Sequence, residues 1–492
     1  MKIKYIMKTM KHQLFRKKDI TTLLQDSLQE KGGLKRTLTT GHLVALGIGA
    51  IIGTGIFVLT GTAAANYAGP ALTISFIISA LGCAMAGLCY AEFASMIPVA
   101  GSAYSYSYST LGEFFAWFIG WDLILEYLFT AGTVAVGWSG YFVSFLDDFG
   151  IHIPQNLRMA PFDHTSADGW FTTGSIINFP AMFIVAIMSV LLIRGISQSA
   201  TLNNIIVVVK VVVILLFIGF GLSYIDTSNW SPYIPQNTGE FGHFGWSGIF
   251  RGAAVIFFAY IGFDAVSTTA QEAKDPQKDM PKGILISLLV CTILYIAVTA
   301  VLTGITHYSE LSVPAPIALA IDKGGEGLHW LRMPIKIGAI AGLSSVILVM
   351  MLAQSRIFYT ISRDGLLPKF FSKVHTRFNT PHNSTIVTSI AVGLIAGLLP
   401  INILGELVSI GTLMAFTLVC ISIVILRKTR PDVNRPFKTP WVPLVPILGA
   451  LICLSQMVAL PLDTWLRLII WMLIGFVIYF AYGIKHSKLN KK

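Results

Sequence analysis

Charge is scarce in this chain. Only 12% of its 492 residues are Asp, Glu, Lys or Arg, about half of what a soluble protein carries. Cysteine is scarce as well: Cys83, Cys89, Cys291, Cys420 and Cys453 are the five, and each sits inside an apolar run. None has a metal-ligand spacing, and together they form no framework of extracellular bridges, so buried inert thiols are expected. The signatures of an intramembrane enzyme are missing too. There is no paired-His motif, no Gly-x-Ser-x-Gly elbow and no Walker sequence. No catalytic residue, cofactor or metal is therefore expected. A signal peptide is not expected either, because the first apolar run begins beyond residue 40 and is too long and too glycine-rich for one.

Long apolar runs are abundant, in a chain that is 54% hydrophobic. Runs of about 20 residues are the signature of membrane helices. Twelve are present, at roughly 41–67, 70–97, 112–146, 178–194, 199–223, 246–272, 281–306, 331–362, 383–400, 402–427, 440–461 and 464–485. They are called runs one to twelve below. The fold class expected is an all-α polytopic membrane protein with twelve transmembrane helices. Residues 1–40 read as a basic tail, and within it Ile20 to Leu28 could lie amphipathically on the membrane surface. The longer connecting segments are 147–177, 224–245 and 307–330, and residues 362–382 read as an interfacial stretch.

The net charge is +11, and its placement carries more information than its size. An even number of spans puts both tails on one side. The loops on that side carry Lys274, Lys278, Lys282, Arg363, Lys369, Arg427, Lys428 and Arg435, whereas 223–246 contains no Lys or Arg. By the positive-inside rule both termini are expected to be cytoplasmic, in a multi-pass protein of the plasma membrane surrounded by lipid. Spread along membrane edges in this way, the basic residues do not make a nucleic-acid surface.

Within this apolar chain one cation stands out. Lys210 lies in the middle of run five, roughly 17 Å from either end at about 1.5 Å per helical residue, too far for its side chain to reach an interface. A charge there costs about 3 kcal/mol on insertion scales, so Lys210 is expected to face protein or a water path. A lysine that gains and loses a proton inside a membrane implies proton-coupled transport. The alternative is permanent pairing with a carboxylate or with backbone carbonyls.

Two runs are interrupted alike. Run one reads Gly47-Ile48-Gly49-Ala50-Ile51-Ile52-Gly53-Thr54-Gly55-Ile56-Phe57, and run six reads Phe257-Phe258-Ala259-Tyr260-Ile261-Gly262-Phe263-Asp264. Central glycines permit unwinding. Matching breaks five runs apart point to an inverted-repeat transporter, with the first five-helix repeat at 41–223, the second at 246–427, 440–485 appended and 486–492 a short tail. A break sets the N–H groups of one half-helix beside the carbonyls of the other, the two polarities that an amino acid zwitterion needs. The competing explanation for Gly49 and Gly53 is close helix packing.

Residues 51–57, Ile-Ile-Gly-Thr-Gly-Ile-Phe, resemble the first-helix motif of the amino acid–polyamine–organocation superfamily. Residues 38–46, 120–127 and 257–264, together with Arg363-Asp364-Gly365-Leu366-Leu367-Pro368, resemble its cationic amino acid transporter branch of bacterial type. The resemblance implies the five-plus-five fold also found in the leucine transporter, and alternating access. It implies that the N–H groups of Thr54, Gly55 and Ile56 hold the substrate carboxylate, and that the carbonyls of Ile51, Phe258 and Ile261 hold its ammonium. Phe258 then supplies an aromatic gate and Asp264 an acidic one, although Asp264 could equally cap the second half of run six. Lys210 matches a lysine of proton-coupled members that stands where sodium-coupled relatives bind an ion. Ser344 and Ser345 of run eight could approach it.

Glu126 is a second deep charge. It follows Asp122 by four residues and so shares its helix face. It is expected to contact the substrate amine or to bond a neighbouring run, while Asp122 lies nearer the membrane edge. The function implied is proton-coupled symport of L-amino acids, with exchange lacking net proton coupling as the alternative. Walls of Phe258, Ile261 and the Met350-Met351 region favour small neutral amino acids, whereas the branch resemblance favours cationic ones.

Overall fold

A computed structural model describes residues 14–19, 38–99, 101–165, 169–194, 200–375 and 380–491. The stretch Ile20 to Leu28 lies outside them. Each of the twelve apolar runs is helical over most of its length. Run one is split between Thr40–Ile51 and pieces that resume at Gly55. Run six is split between Gly245–Ile256, a 3₁₀ turn Phe257–Tyr260 and Phe263–Ser267. Among the described residues eight helical segments are long and apolar enough to cross a membrane, and four shorter apolar helices, such as Phe179–Ile193, accompany them.

Run five shows why such a sequence folds as it does. On its helix Ala200–Gly221, Val207, Lys210, Ile214 and Phe217 are buried, and their spacing of three and four places them on one face. Ile205, Val208, Val212 and Leu215 on the other face are exposed and apolar. An exposed face of this composition suits lipid and not water. The single cation of the run is thereby turned inward.

Ion pairs close the ends of the bundle. Glu92, fully buried near the end of Leu72–Met96, takes both arms of Arg427 at 2.8 Å, with Arg435 at 3.3 Å. It also accepts the Thr439 N–H at 2.8 Å, so one carboxylate ties run two to run ten and to the segment entering run eleven. Both described ends of the chain meet on the same face. Arg16 donates to the Leu489 carbonyl at 2.9 Å, Lys18 pairs with Asp364 at 3.1 Å, and Asp364 also accepts from Tyr104 at 2.8 Å.

On the opposite face the segment 147–177, read from sequence simply as a connection, forms a hairpin. Strand β1, Phe162–Thr165, pairs antiparallel with β2, Gly169–Thr172. The Asp-Gly at 168–169 between two aromatic-bearing stretches is a hairpin signal. In 362–382, Leu366 and Leu367 are buried while Phe370 is exposed, so the stretch is only partly a surface element.

The Glu92 cluster predicts a stability effect. Glu92→Ala leaves two arginines and one backbone N–H without their acceptor and should destabilise the protein by about 3 kcal/mol. Thermal unfolding in detergent reads this as a clear drop in midpoint, and an unchanged midpoint would remove the cluster's role.

Candidate functional site

Thr40–Ile51 ends where Ile52 turns extended, with ψ 98°. Its last ladder bond runs from Ile52 N–H to Ile48 O at 2.9 Å, and the ladder restarts with Phe57 N–H to Gly53 O at 3.2 Å. The N–H groups of Thr54, Gly55 and Ile56 lie ahead of that restart, as the orphan donors of a helix start. In run six Ile261 is extended and Gly262 has φ 119°, in the left-handed region that favours glycine. The Gly262 N–H donates to the Asp264 carboxylate at 3.2 Å.

The two breaks pack into each other. A Cβ on Gly55 would collide with the backbone of Ala259, and a Cβ on Gly262 would come within 2.8 Å of the Ala50 carbonyl group. Each glycine is thus needed by the other helix. Tyr295 of run seven bridges them, its hydroxyl 2.8 Å from both the Ile51 and the Ala259 carbonyl. One phenol proton serves only one carbonyl at a time.

Lys210 completes the junction. Its Nζ donates to Gly49 O at 2.8 Å and Ile52 O at 3.0 Å, the carbonyls freed where the first helix stops. Among the described residues no carboxylate lies within ion-pair distance of it. Its stem rests on run eight at Gly342, where a Cβ would meet Lys210 Cε at 2.8 Å. Ser344 and Ser345 do not bond to it. Ser344 donates to Ile340 O and accepts from Trp138, and Ser345 donates to Gly342 O, all at 2.8–2.9 Å. Four residues beyond Gly342, Val346 touches Gly53. Met350 continues that row at helical spacing, and Met351 does not.

The remaining candidates fall around this centre. Ile51, Thr54, Ile56, Phe258 and Ile261 are all buried. Thr54 packs on Gly137 of run three, and its hydroxyl has no hydrogen-bond partner. Asp264 accepts from Tyr127 at 2.6 Å. Gly262 holds the cap position and Asp264 lies two residues inside, so the capping role expected of Asp264 does not hold. Asp122 and Glu126 share a face, as the spacing requires, and look onto Gly411 and Thr412 of run ten. Asp122 is fully buried and lies in the first third of the helix Glu113–Asp147. Neither carboxyl receives a hydrogen bond, and the nearby Thr412 donates to Val408 O at 3.0 Å.

A cavity of about 310 Å³ runs from beneath the hairpin down to Val58 of the resumed helix and Gly137 beside Thr54. Sequence reasoning missed Tyr295, Tyr127 and Gly342. Their types are ordinary in apolar helices, and only the bundle shows what they touch.

Paired breaks in a polytopic bundle, with a polar centre built from main chain and one inward lysine, define a membrane carrier. The amino acid permease profile matches residues 38–479, and the chain belongs to that family. It is 48% identical to a methylthioribose transporter of Bacillus subtilis, over 97% of this chain and 99% of the relative. It is also 48% identical to a branched-chain amino acid permease of the same organism, over 98% and 100% of the two chains. Cationic amino acid transporter 4, vacuolar, of Arabidopsis thaliana is 38% identical over 81% of this chain and 64% of its own. The protein is therefore a membrane transporter of the amino acid permease family and not an enzyme.

The junction predicts which glycines can change. Gly53→Ala adds a methyl group at ordinary contact with Val346, 3.4 Å away, and should leave folded yield and thermal midpoint nearly unchanged. Gly262→Ala should lose several degrees or fail to fold, being both strained and crowded. Equal behaviour of the two variants in size-exclusion and melting assays would contradict the packed double break.

Proposed function

We propose that this permease carries neutral L-amino acids into the cell together with protons, by alternating access across the plasma membrane. In this reading twelve helices cross the bilayer with both termini cytoplasmic. Residues 41–223 and 246–427 are inverted five-helix repeats, and 440–485 are appended. The donors of Thr54, Gly55 and Ile56 take the substrate carboxylate. The carbonyls of Ile51, Phe258 and Ile261 take the ammonium, assisted by Glu126, and Phe258 and Asp264 gate the site.

Lys210 is bonded to the Gly49 and Ile52 carbonyls, the backbone pairing that the structural alternative expects, and what supports proton coupling is that among the described residues no carboxylate lies within ion-pair distance of its amine. Two neutral carbonyls stabilise the ammonium less than a carboxylate would, so its proton departs at a smaller cost. Loss of the proton weakens the tie to Gly49 and Ile52, and the half-helix is released to move. The mutual packing of the breaks supports the inverted repeat. The apolar surroundings, Ile52, Ile56, Phe258, Ile261 and Val346, support a neutral aliphatic substrate over arginine. The similarity to a branched-chain permease agrees with that choice. The equally similar methylthioribose transporter favours a second reading, a neutral thiosugar substrate. Competition among L-leucine, L-alanine, L-arginine and methylthioribose in an uptake assay decides between them.

Lys210→Met should abolish accumulation driven by an inward proton gradient in proteoliposomes, while gradient-free counterflow persists and proves the variant folded. Accumulation by this variant would overturn the coupling role. Leucine methyl ester should compete roughly ten-fold or more weakly than leucine, because a full negative charge strengthens each bond to the half-helix N–H groups. Equal competition would remove the carboxylate site.

A further inference from the structure

A larger chamber, about 730 Å³, lies outward of the cavity that descends to Val58 and Gly137. The two share Asp163 of the hairpin, Ser312 and Asn402, so they form one continuous route. The outer chamber is lined by Arg251 of run six, Glu406 of run ten and Tyr67 at the end of run one.

Arg251 is the unusual member. Its Nε is buried and has no acceptor. Among the described residues no carboxylate lies within ion-pair distance of its guanidinium. It lies beside the Tyr67 ring, with the guanidinium carbon 6.0 Å from the ring centroid, and beside Gly242, whose missing side chain leaves room for the group. A guanidinium presents a planar fork that matches a carboxylate, and a half-buried one without a partner is poised to take one. Acidic character stands across the chamber. Glu406 is held by Thr464 at 2.7 Å, lies 3.8 Å from Arg467 and faces the Tyr67 hydroxyl. Tyr67 therefore stands between a free cationic fork and an anchored carboxylate.

We propose that this chamber is a second recognition site, distinct from the helix breaks, which captures the α-carboxylate of an amino acid zwitterion on Arg251 with the ammonium turned toward Glu406. From there the molecule passes inward along the shared wall to the first break. The proposal rests on the reading that the substrate is an amino acid, and it adds a station that the breaks do not require. A capture site of this kind raises the local substrate concentration and lowers KM without touching the translocation step.

The test is a protection assay beside an uptake assay. All five native cysteines are buried, so Phe241→Cys, at an exposed position on the chamber wall, provides one reactive thiol. L-leucine should slow labelling of that thiol by a cationic methanethiosulfonate, and L-leucinol, which lacks the carboxylate, should not. Adding Arg251→Gln should abolish the protection, and Arg251→Lys should restore part of it. In uptake, Arg251→Gln should raise KM for leucine roughly ten-fold while the saturating rate stays within about two-fold. Uptake by the parent without protection, or protection that survives Arg251→Gln, overturns the outer site and leaves the transport reading standing. Protection without uptake keeps the outer site and removes the transport reading. Absence of both removes both.

Discussion

The contact on which this structure depends is the pair of hydrogen bonds from Lys210 to the Gly49 and Ile52 carbonyls. Breaking a helix in a membrane exposes main-chain groups that lipid cannot serve. Here one side of the first break is served by an amine from run five, and the adjoining Ile51 carbonyl lies beside Tyr295 of run seven. With those acceptors served, the break can exist. The gap of a few residues in run one is thus maintained by two other runs, and a change in either is felt at the break.

The second break is bound to the first by shape. Gly55 admits Ala259 and Gly262 admits Ala50, a reciprocal exchange in which each helix fills the space that the other's glycine leaves. Packed interfaces of this sort have discrete arrangements and not continuous ones. A small event at the Lys210 amine can therefore become a larger shift of half-helices. Gly342 of run eight, lying under the lysine stem, extends the same junction to a third helix. The carboxyls of Glu126 and Asp122, to which none of the described residues donates a hydrogen bond, stand on run three facing run ten.

Much of this was legible in the sequence. The apolar runs are mostly helical among the described residues because apolar length is a strong signal, and eight helical segments there are long enough to cross a membrane. The lysine in run five and the glycines of runs one and six were visible because each violates the rule of its surroundings. What stayed hidden involved residues that violate nothing. Tyr295 and Tyr127 read as aromatic core, and only the three-dimensional register brings their hydroxyls to the Ile51 carbonyl and the Asp264 carboxylate. Serines drew attention in run eight because they are polar, yet the contact to Lys210 is made by Gly342, whose role is to be small.

Hydrogen–deuterium exchange at residues 50–58 tests the central claim most directly, followed in lipid nanodiscs from mildly acidic to mildly alkaline pH and corrected for intrinsic rates. With Lys210 protonated, the carbonyls of Gly49 and Ile52 are held and the segment should be protected. As the amine loses its proton, protection should fall, and Lys210→Met should show low protection at every pH. A segment whose corrected exchange is flat with pH, or equally protected in the Met variant, would contradict the account.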